Sequence, residues 1–294
     1  MRSPRFTPAV FWRAFFVFLA VGAAGLHAQP ASRGIPPPSG YGHFGQPDPA
    51  EGRKALEQFR AAGIQGSYYL EFTLRLMPRR GPEKRVAGRM WGTRNHAGPV
   101  SRVALQDDDE TRLLVQNGAD AAVWRSTRTA PDPAKVAVQA LFEPIAGTTL
   151  APFDLQMPFL YWNDFVYEGL GRVRGRPAYR FRMLPPKEFA QQFPALSAVR
   201  ISLDSQFSAL VEAELLDEKG RPMKSILVDE LKKVGDQWMV KAVDVRNEGT
   251  RDKTRFEVTA VALGLDLSPR LFAVAALADE ITPPEAARMV RFEP

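Results

Sequence analysis

The residues best suited to chemistry in this chain fall into separate groups, and the spacing within each group limits what it can do. Asp107-Asp108-Asp109-Glu110 gathers carboxylates that could hold Ca²⁺. Consecutive acids lack the spaced oxygen ligands and the glycine of an EF-hand loop, so the run reads as a solvated turn and no metal site is expected. His43 sits in a Pro/Gly-rich stretch and His96 in the turn Asn95-His96-Ala97-Gly98-Pro99, and neither position offers the rigid support that a Ser-His-Asp arrangement needs. Glu212 and Glu214 share one face of a strand pattern, where a salt-bridging surface explains them better than paired-carboxylate hydrolysis. Arg172, Arg174, Arg180 and Arg182 could grip an anionic head group, although a cross-strand charged face is the simpler reading. Cysteine is absent, which removes a thiol nucleophile, a thiolate metal site, a disulfide framework and a lipid-bearing N-terminal cysteine together. The chain is therefore not expected to be an enzyme, and no cofactor is expected.

The elements around these residues begin with an export signal. Arg2 and Arg5 precede an apolar run from Ala14 to Leu26 that is short for a bilayer span and ends near Leu26-His27-Ala28. Residues 1–28 read as a cleaved signal peptide, which places the mature chain in the periplasm. Leu26 stands where a small residue is preferred, so cleavage after Gly25 and an uncleaved anchor are the alternatives. The net charge of +6 falls to +3 when Arg2, Arg5 and Arg13 leave with the signal. Its charges are interspersed and it has no RNP, zinc-finger or basic-helix pattern, so no nucleic-acid partner is expected. Residues 29–48, with Pro36-Pro37-Pro38 at the centre, read as an extended tether.

A helix should start at Asp48-Pro49-Ala50-Glu51, where an N-cap, a first-turn proline and an early acid coincide; Ala55, Phe59 and Ala62 recur before Gly63 stops it. Tyr68, Leu70, Phe72, Leu74 and Leu76 alternate with Tyr69, Glu71, Thr73 and Arg75, and the turn from Pro78 to Pro82 returns into Val86 to Thr93. Short strands fit Val100 to Gln106, Thr111 to Gln116 and Ala121 to Ser126. From residue 166 to 263 a meander of alternating strands follows, including Tyr179-Phe181-Met183, Val199-Ile201-Leu203, Val211-Ala213-Leu215, Trp238-Met239-Val240 and Phe256-Val258-Ala260. About ten strands are expected in all. Between Pro131 and Trp162 the alternation stops, and apolar clusters broken by Pro144 and Pro152 read as short helices and loop packed across one sheet face. The tail, residues 281–294, reads as loose chain or a short helix.

This order of features resembles the LolA-like, outer-membrane lipoprotein-sorting group of periplasmic proteins over residues 50–277. The likeness rests on the N-terminal helix, the long hairpin, the apolar middle insertion, Tyr161-Trp162, Gly175-Arg176-Pro177, Asp217-Glu218-Lys219-Gly220, Asn247-Glu248-Gly249 with Lys253-Thr254, and Leu271-Phe272. It implies an α+β domain over residues 49–280: a single, curved, incompletely closed antiparallel sheet, or half-barrel, whose concave face is covered by helices and encloses an apolar cavity for acyl chains. Phe72, Trp91, Trp124, Phe153, Phe159 and Trp162 are the candidate lining residues. In the best-known carrier of the group an arginine latches the helical lid, and Arg89, Arg94, Arg102 and Arg125 are the candidates here. The implied function is that of a monomeric, non-catalytic carrier or binding protein for a lipid or lipoprotein acyl chain, with an inner-membrane donor or outer-membrane acceptor as partner. The alternative is a periplasmic interaction or assembly module with no ligand cavity. N-terminal analysis of protein recovered from the periplasm is expected to find a start between Leu26 and Ala31; a start at Met1 in the membrane fraction would establish the anchored form instead.

Overall fold

The computed structural model describes residues 47–118 and 120–293, so the signal and nearly all of the tether lie outside the described residues. The Asp48 side chain accepts the Ala50 N–H at 2.8 Å and starts helix α1 (Pro49–Ala61), whose Gly52, Ala55 and Leu56 are buried. Strands β1 (Ser67–Met77), β2 (Lys84–Asn95), β3 (Gly98–Leu105), β4 (Arg112–Gln116), β5 (Ala122–Ser126) and the two-residue β6 (Ala134–Lys135) then follow one another outward. The insertion carries two 3₁₀ turns (Gln139–Phe142 and Pro158–Tyr161) around helix α2 (Pro152–Gln156). The chain returns through β7 (Phe165–Val173), β8 (Arg176–Met183), helix α3 (Lys187–Gln192), β9 (Ala198–Asp204), β10 (Leu210–Leu216), β11 (Pro222–Val234), β12 (Gln237–Asn247) and β13 (Lys253–Leu265). All these elements belong to one compact unit, Tyr41–Pro294. No helix among the described residues is long and apolar enough to cross a membrane.

The strands form one open antiparallel sheet in the order β6-β5-β4-β3-β2-β1-β13-β12-β11-β10-β9-β8-β7, and β14 (Val290–Arg291) pairs with β13. This is the expected half-barrel with helices across its inner face. The strand count is 14 among the described residues and not about ten. The two-residue strands β6 and β14 leave no periodic trace, and bulges between Val228 and Leu231 break the alternation of β11. The tail holds a short 3₁₀ helix (Ala286–Arg288), in line with the sequence reading, and adds the unexpected two-residue strand β14.

Side-chain parity assigns the two faces. Phe72, Leu74, Val103, Leu113 and Val123 from one half of the sheet meet Phe181, Ile201, Leu215, Ile226 and Val245 from the other in one inner core, which also takes in Ala55 and Leu56 of α1. The Phe72 ring lies over Gly88 of the neighbouring strand, where an added Cβ would stand 2.3 Å from the ring, so only glycine admits this aromatic. The outer face is apolar too: Tyr69, Trp91, Ala262 and Leu265 pack beneath Leu267, Leu271 and Met289 of the C-terminal segment.

Elsewhere the outer face carries charges. Asp244 accepts from Arg255 at 2.8 Å and from Lys253 at 3.1 Å, and Arg255 also binds Asp229. Burial alone would raise the Asp244 carboxyl, but these donors outweigh it and hold it below its ordinary 3.8. A depressed folded-state value stabilises the protein above the ordinary aspartate range, and the contribution is lost as pH falls through the folded value. Asp244→Asn is therefore expected to cost about 1–3 kcal/mol at neutral pH and to flatten the fall in stability below pH 4, measured by urea unfolding across pH; an unchanged acid limb would assign that fall to other carboxylates.

Candidate functional site

The crossing from edge strand β6 to edge strand β7 builds the site. Proline at the first turn of α2 and again at Pro158, with Met157 between them at φ 48°, forces short turns in place of a long helix. The crossing segment is pinned by polar contacts. Asp154 accepts the Ala151 N–H at 2.8 Å and the Lys224 ammonium of β11 at 2.7 Å, while Lys224 also donates to the Thr149 carbonyl at 3.1 Å. Burial raises the Asp154 pKa against the pull of Lys224. Thr149 Oγ is 2.8 Å from Thr254 Oγ and donates to the Val245 carbonyl at 3.1 Å. Asn117 donates to the Gln156 carbonyl at 2.6 Å. At the far end the Arg60 guanidinium of α1 donates to the Leu160 and Trp162 carbonyls, both at 2.6 Å.

Between these pins the contact is hydrocarbon. Phe142 stacks on Phe193 at 3.7 Å and on Phe153 at 4.5 Å between ring centroids; Phe153 meets Phe159 at 5.8 Å, and Trp162 meets Phe189 at 5.5 Å. These rings can exclude water and bury an apolar chain; they offer no group to move a proton or attack a carbonyl.

Of the candidate lining residues, Phe153, Phe159 and Trp162 lie in this lid, at most 6% exposed, and Phe72 faces the same core from the sheet, stacked on Phe256 at 4.4 Å. Trp91 and Trp124 are on the outer face. Trp91 meets Tyr69 at 5.2 Å, and Trp124 packs against Val100, Leu114 and Leu277. Sequence reasoning placed Phe142 in the apolar insertion without counting it among the lining residues, and it missed Phe189 and Phe193. The usable signal was the spacing of Phe189 and Phe193 behind Pro185-Pro186, one helical turn with one apolar side. It also missed Arg60. Among its arginine candidates, Arg94 reaches the Arg60 and Ala62 carbonyls at the end of α1 at 3.5 and 3.4 Å, and Arg102 serves the outer face.

Several of the polar groups that opened the sequence reading are engaged locally. Asp107 accepts from the Thr111 N–H and hydroxyl at 2.7 and 2.8 Å, Asp109 accepts from Thr129 at 2.9 Å, and Glu110 pairs with Arg112 at 3.0 Å. Arg174 pairs with Asp229 at 3.3 Å and Arg182 with Glu168 at 3.7 Å, while Arg200 joins Glu168 to Glu214. Burial, then the nearby Glu214, raises the Glu212 carboxyl.

A family model described as uncharacterized-protein-like matches residues 103–279. No curated protein matches at a significant level. Among solved structures, a DUF1329 family protein from Desulfovibrio piger superposes with a TM-score of 0.66 at 15% identity, covering 78% of this chain and 98% of that one. A domain described as an outer membrane lipoprotein-sorting protein from Vibrio parahaemolyticus gives a TM-score of 0.67 at 16% identity, covering 77% and 99%. A LolA superfamily protein from Nitrosomonas europaea gives 0.58 at 13% identity, covering 76% and 97%. At these identities the likeness establishes the fold.

Arg102 holds that fold together from the outside. It is 2% exposed, and it donates to the carbonyls of Leu271 at 3.3 Å, Ala276 at 2.7 Å, Leu277 at 2.9 Å and also Asp279. Burial lowers its pKa to about 10. Arg102→Lys is expected to cost about 2–5 kcal/mol in urea unfolding, because an ammonium cannot reproduce the planar fork and leaves buried carbonyls unpaired. It should also open residues 267–279 to proteolysis. Stability equal to wild type would show that the C-terminal segment is held by packing alone.

Proposed function

Because the chain belongs to the family of uncharacterized proteins whose model matches residues 103–279 and has the LolA-like fold, we propose that it is a non-catalytic periplasmic carrier or binding protein for a lipid or the acyl chain of a lipoprotein. The observation that carries this reading is the lid: an aromatic segment outside the sheet, apolar where it meets the inner face and polar where it is tied at Asp154 and Arg60. An acyl chain that displaced the lid rings would meet Phe72, Phe153, Phe159 and Trp162; in this reading Trp91 and Trp124 support the outer packing. Burying about 15 methylenes yields about 12 kcal/mol gross, and association costs an estimated 4–15 kcal/mol. A carrier that must give up its cargo works near such a balance. The donor would be an inner-membrane protein and the acceptor an outer-membrane one, with the carrier acting as a monomer.

One observation favours the second reading, a periplasmic assembly module with a filled interior: Phe72, Phe153 and Phe159 are at most 2% exposed against well-packed neighbours. Uptake of a fluorescent fatty-acyl probe by delipidated protein separates the two. Saturable binding at roughly micromolar affinity is expected, weakened about tenfold or more by Trp162→Asp and untouched by Asp108→Ala. Arg60→Ala should accelerate uptake and amide exchange in residues 158–164. A folded protein, checked by near-ultraviolet circular dichroism, that takes up no probe would support the assembly module; turnover that requires His96 would overturn both readings.

A further inference from the structure

Between Asp229 and Lys241 the hairpin of β11 and β12 leaves the body of the sheet. β10 meets β11 only over Pro222–Leu227, and β13 meets β12 only over Ala242–Arg246, so among the described residues the outer part of the ribbon pairs with itself up to the turn at Gly235-Asp236. Its two sides differ. Val234 and Met239 are buried with Leu70, Val258 and Val261, and the Gln65 N–H donates to the Gln237 side chain at 2.7 Å, which holds the tip in place. Trp238 on the other side is 55% exposed.

Trp238 has an exposed companion from the next turn. Phe207, between β9 and β10, is 49% exposed and meets the Trp238 ring edge-on at 6.2 Å, with the Arg176 guanidinium 5.2 Å from its own ring. Neither ring serves the core, so the pair is large apolar surface presented to solvent. The acids of this rim are mostly occupied by partners: Asp204 pairs with Arg176 at 2.9 Å and accepts the N–H groups of Gln206 and Phe207, Asp229 pairs with Arg174 and Arg255, and Glu230 pairs with Lys241 at 3.2 Å. Asp236 at the turn is the remaining acid of the ribbon, against the exposed Lys232 and Lys233, and Lys233 stands opposite Trp238 in register.

We propose that this rim docks on an anionic bilayer surface, with Trp238 and Phe207 entering the interface and Lys233, in register opposite Trp238, meeting lipid phosphates. Tryptophan rings settle at the level of lipid head groups, where an apolar body and a polar N–H are both accommodated. A lysine held close to an anionic surface adds about fivefold in affinity. A protein partner would call for a pocket that desolvates its anchors, whereas these rings are about half exposed beside an exposed lysine. The proposal goes beyond the carrier reading and is independent of it, since an assembly module without a cavity would dock in the same way.

The test uses the compact unit from Tyr41 onward, because the apolar run from Ala14 to Leu26 would partition into vesicles by itself. Co-sedimentation with phosphatidylcholine vesicles containing phosphatidylglycerol should show binding that weakens with salt and is much poorer on phosphatidylcholine alone. The pair Trp238→Ser and Phe207→Ser should lose at least about tenfold, the worth of one buried aromatic. Lys233→Glu should lose more than about tenfold, and Asp108→Ala nothing. Tryptophan emission should shift to the blue on anionic vesicles in the parent and not in Trp238→Ser. No sedimentation of the parent, equal sedimentation of the aromatic double variant, or indifference to the anionic lipid would each overturn the proposal.

Discussion

The pairing of the first strand with one of the last governs this molecule. All 11 residues of β1 are registered against β13, so the beginning and the end of the folded chain meet in the middle of one sheet. From that centre the chain walks outward to β6, and it has to reappear at β7 on the opposite edge before it can walk back. The only short route lies across a face. The apolar insertion is thus a topological necessity before it is a functional device, and its hydrophobicity follows from the face it must cross.

The same constraint explains how polar and apolar contacts are divided. In the crossing segment the hydrocarbon contacts are non-directional and would tolerate several placements, whereas Asp154 with Lys224 and Arg60 with the Leu160 and Trp162 carbonyls allow one. A buried ion pair contributes little net stability once desolvation is counted, and Asp154 leaves its second carboxylate oxygen without a partner. Its value is in fixing position. Arg102 does the same on the outer face with backbone carbonyls as acceptors, so each covering of the sheet is located by cations reaching into the chain that covers it, Lys224 and Arg60 inside and Arg102 outside.

Much of this was legible in the sequence because period-2 alternation and turn chemistry are local. The β1–β2 hairpin, the starting cap of α1 and the break between Pro131 and Trp162 were readable for that reason. The faces were harder. Tyr69 sits on the parity that reads as polar from Glu71, Thr73 and Arg75, yet it packs on Trp91, and this pair needs the C-terminal segment, distant in sequence, to cover it. Trp91 and Trp124 therefore looked like inner residues when all aromatics were pooled, and separating them by parity would have placed both outside. Arg60 was invisible because its partners are backbone carbonyls about a hundred residues away, which carry no side-chain signature.

The central pairing also sets a timetable for synthesis. The edge of β1 that β13 will occupy is complete once Met77 has emerged, but its partner ends at Leu265, and at ordinary elongation rates that interval lasts roughly 10–40 s. Through it the nascent chain carries an unpaired edge flanked by Phe72 and Leu74, the kind of strand that recruits strangers. A chaperone that held that edge until nearly the whole chain was available would favour its correct pairing.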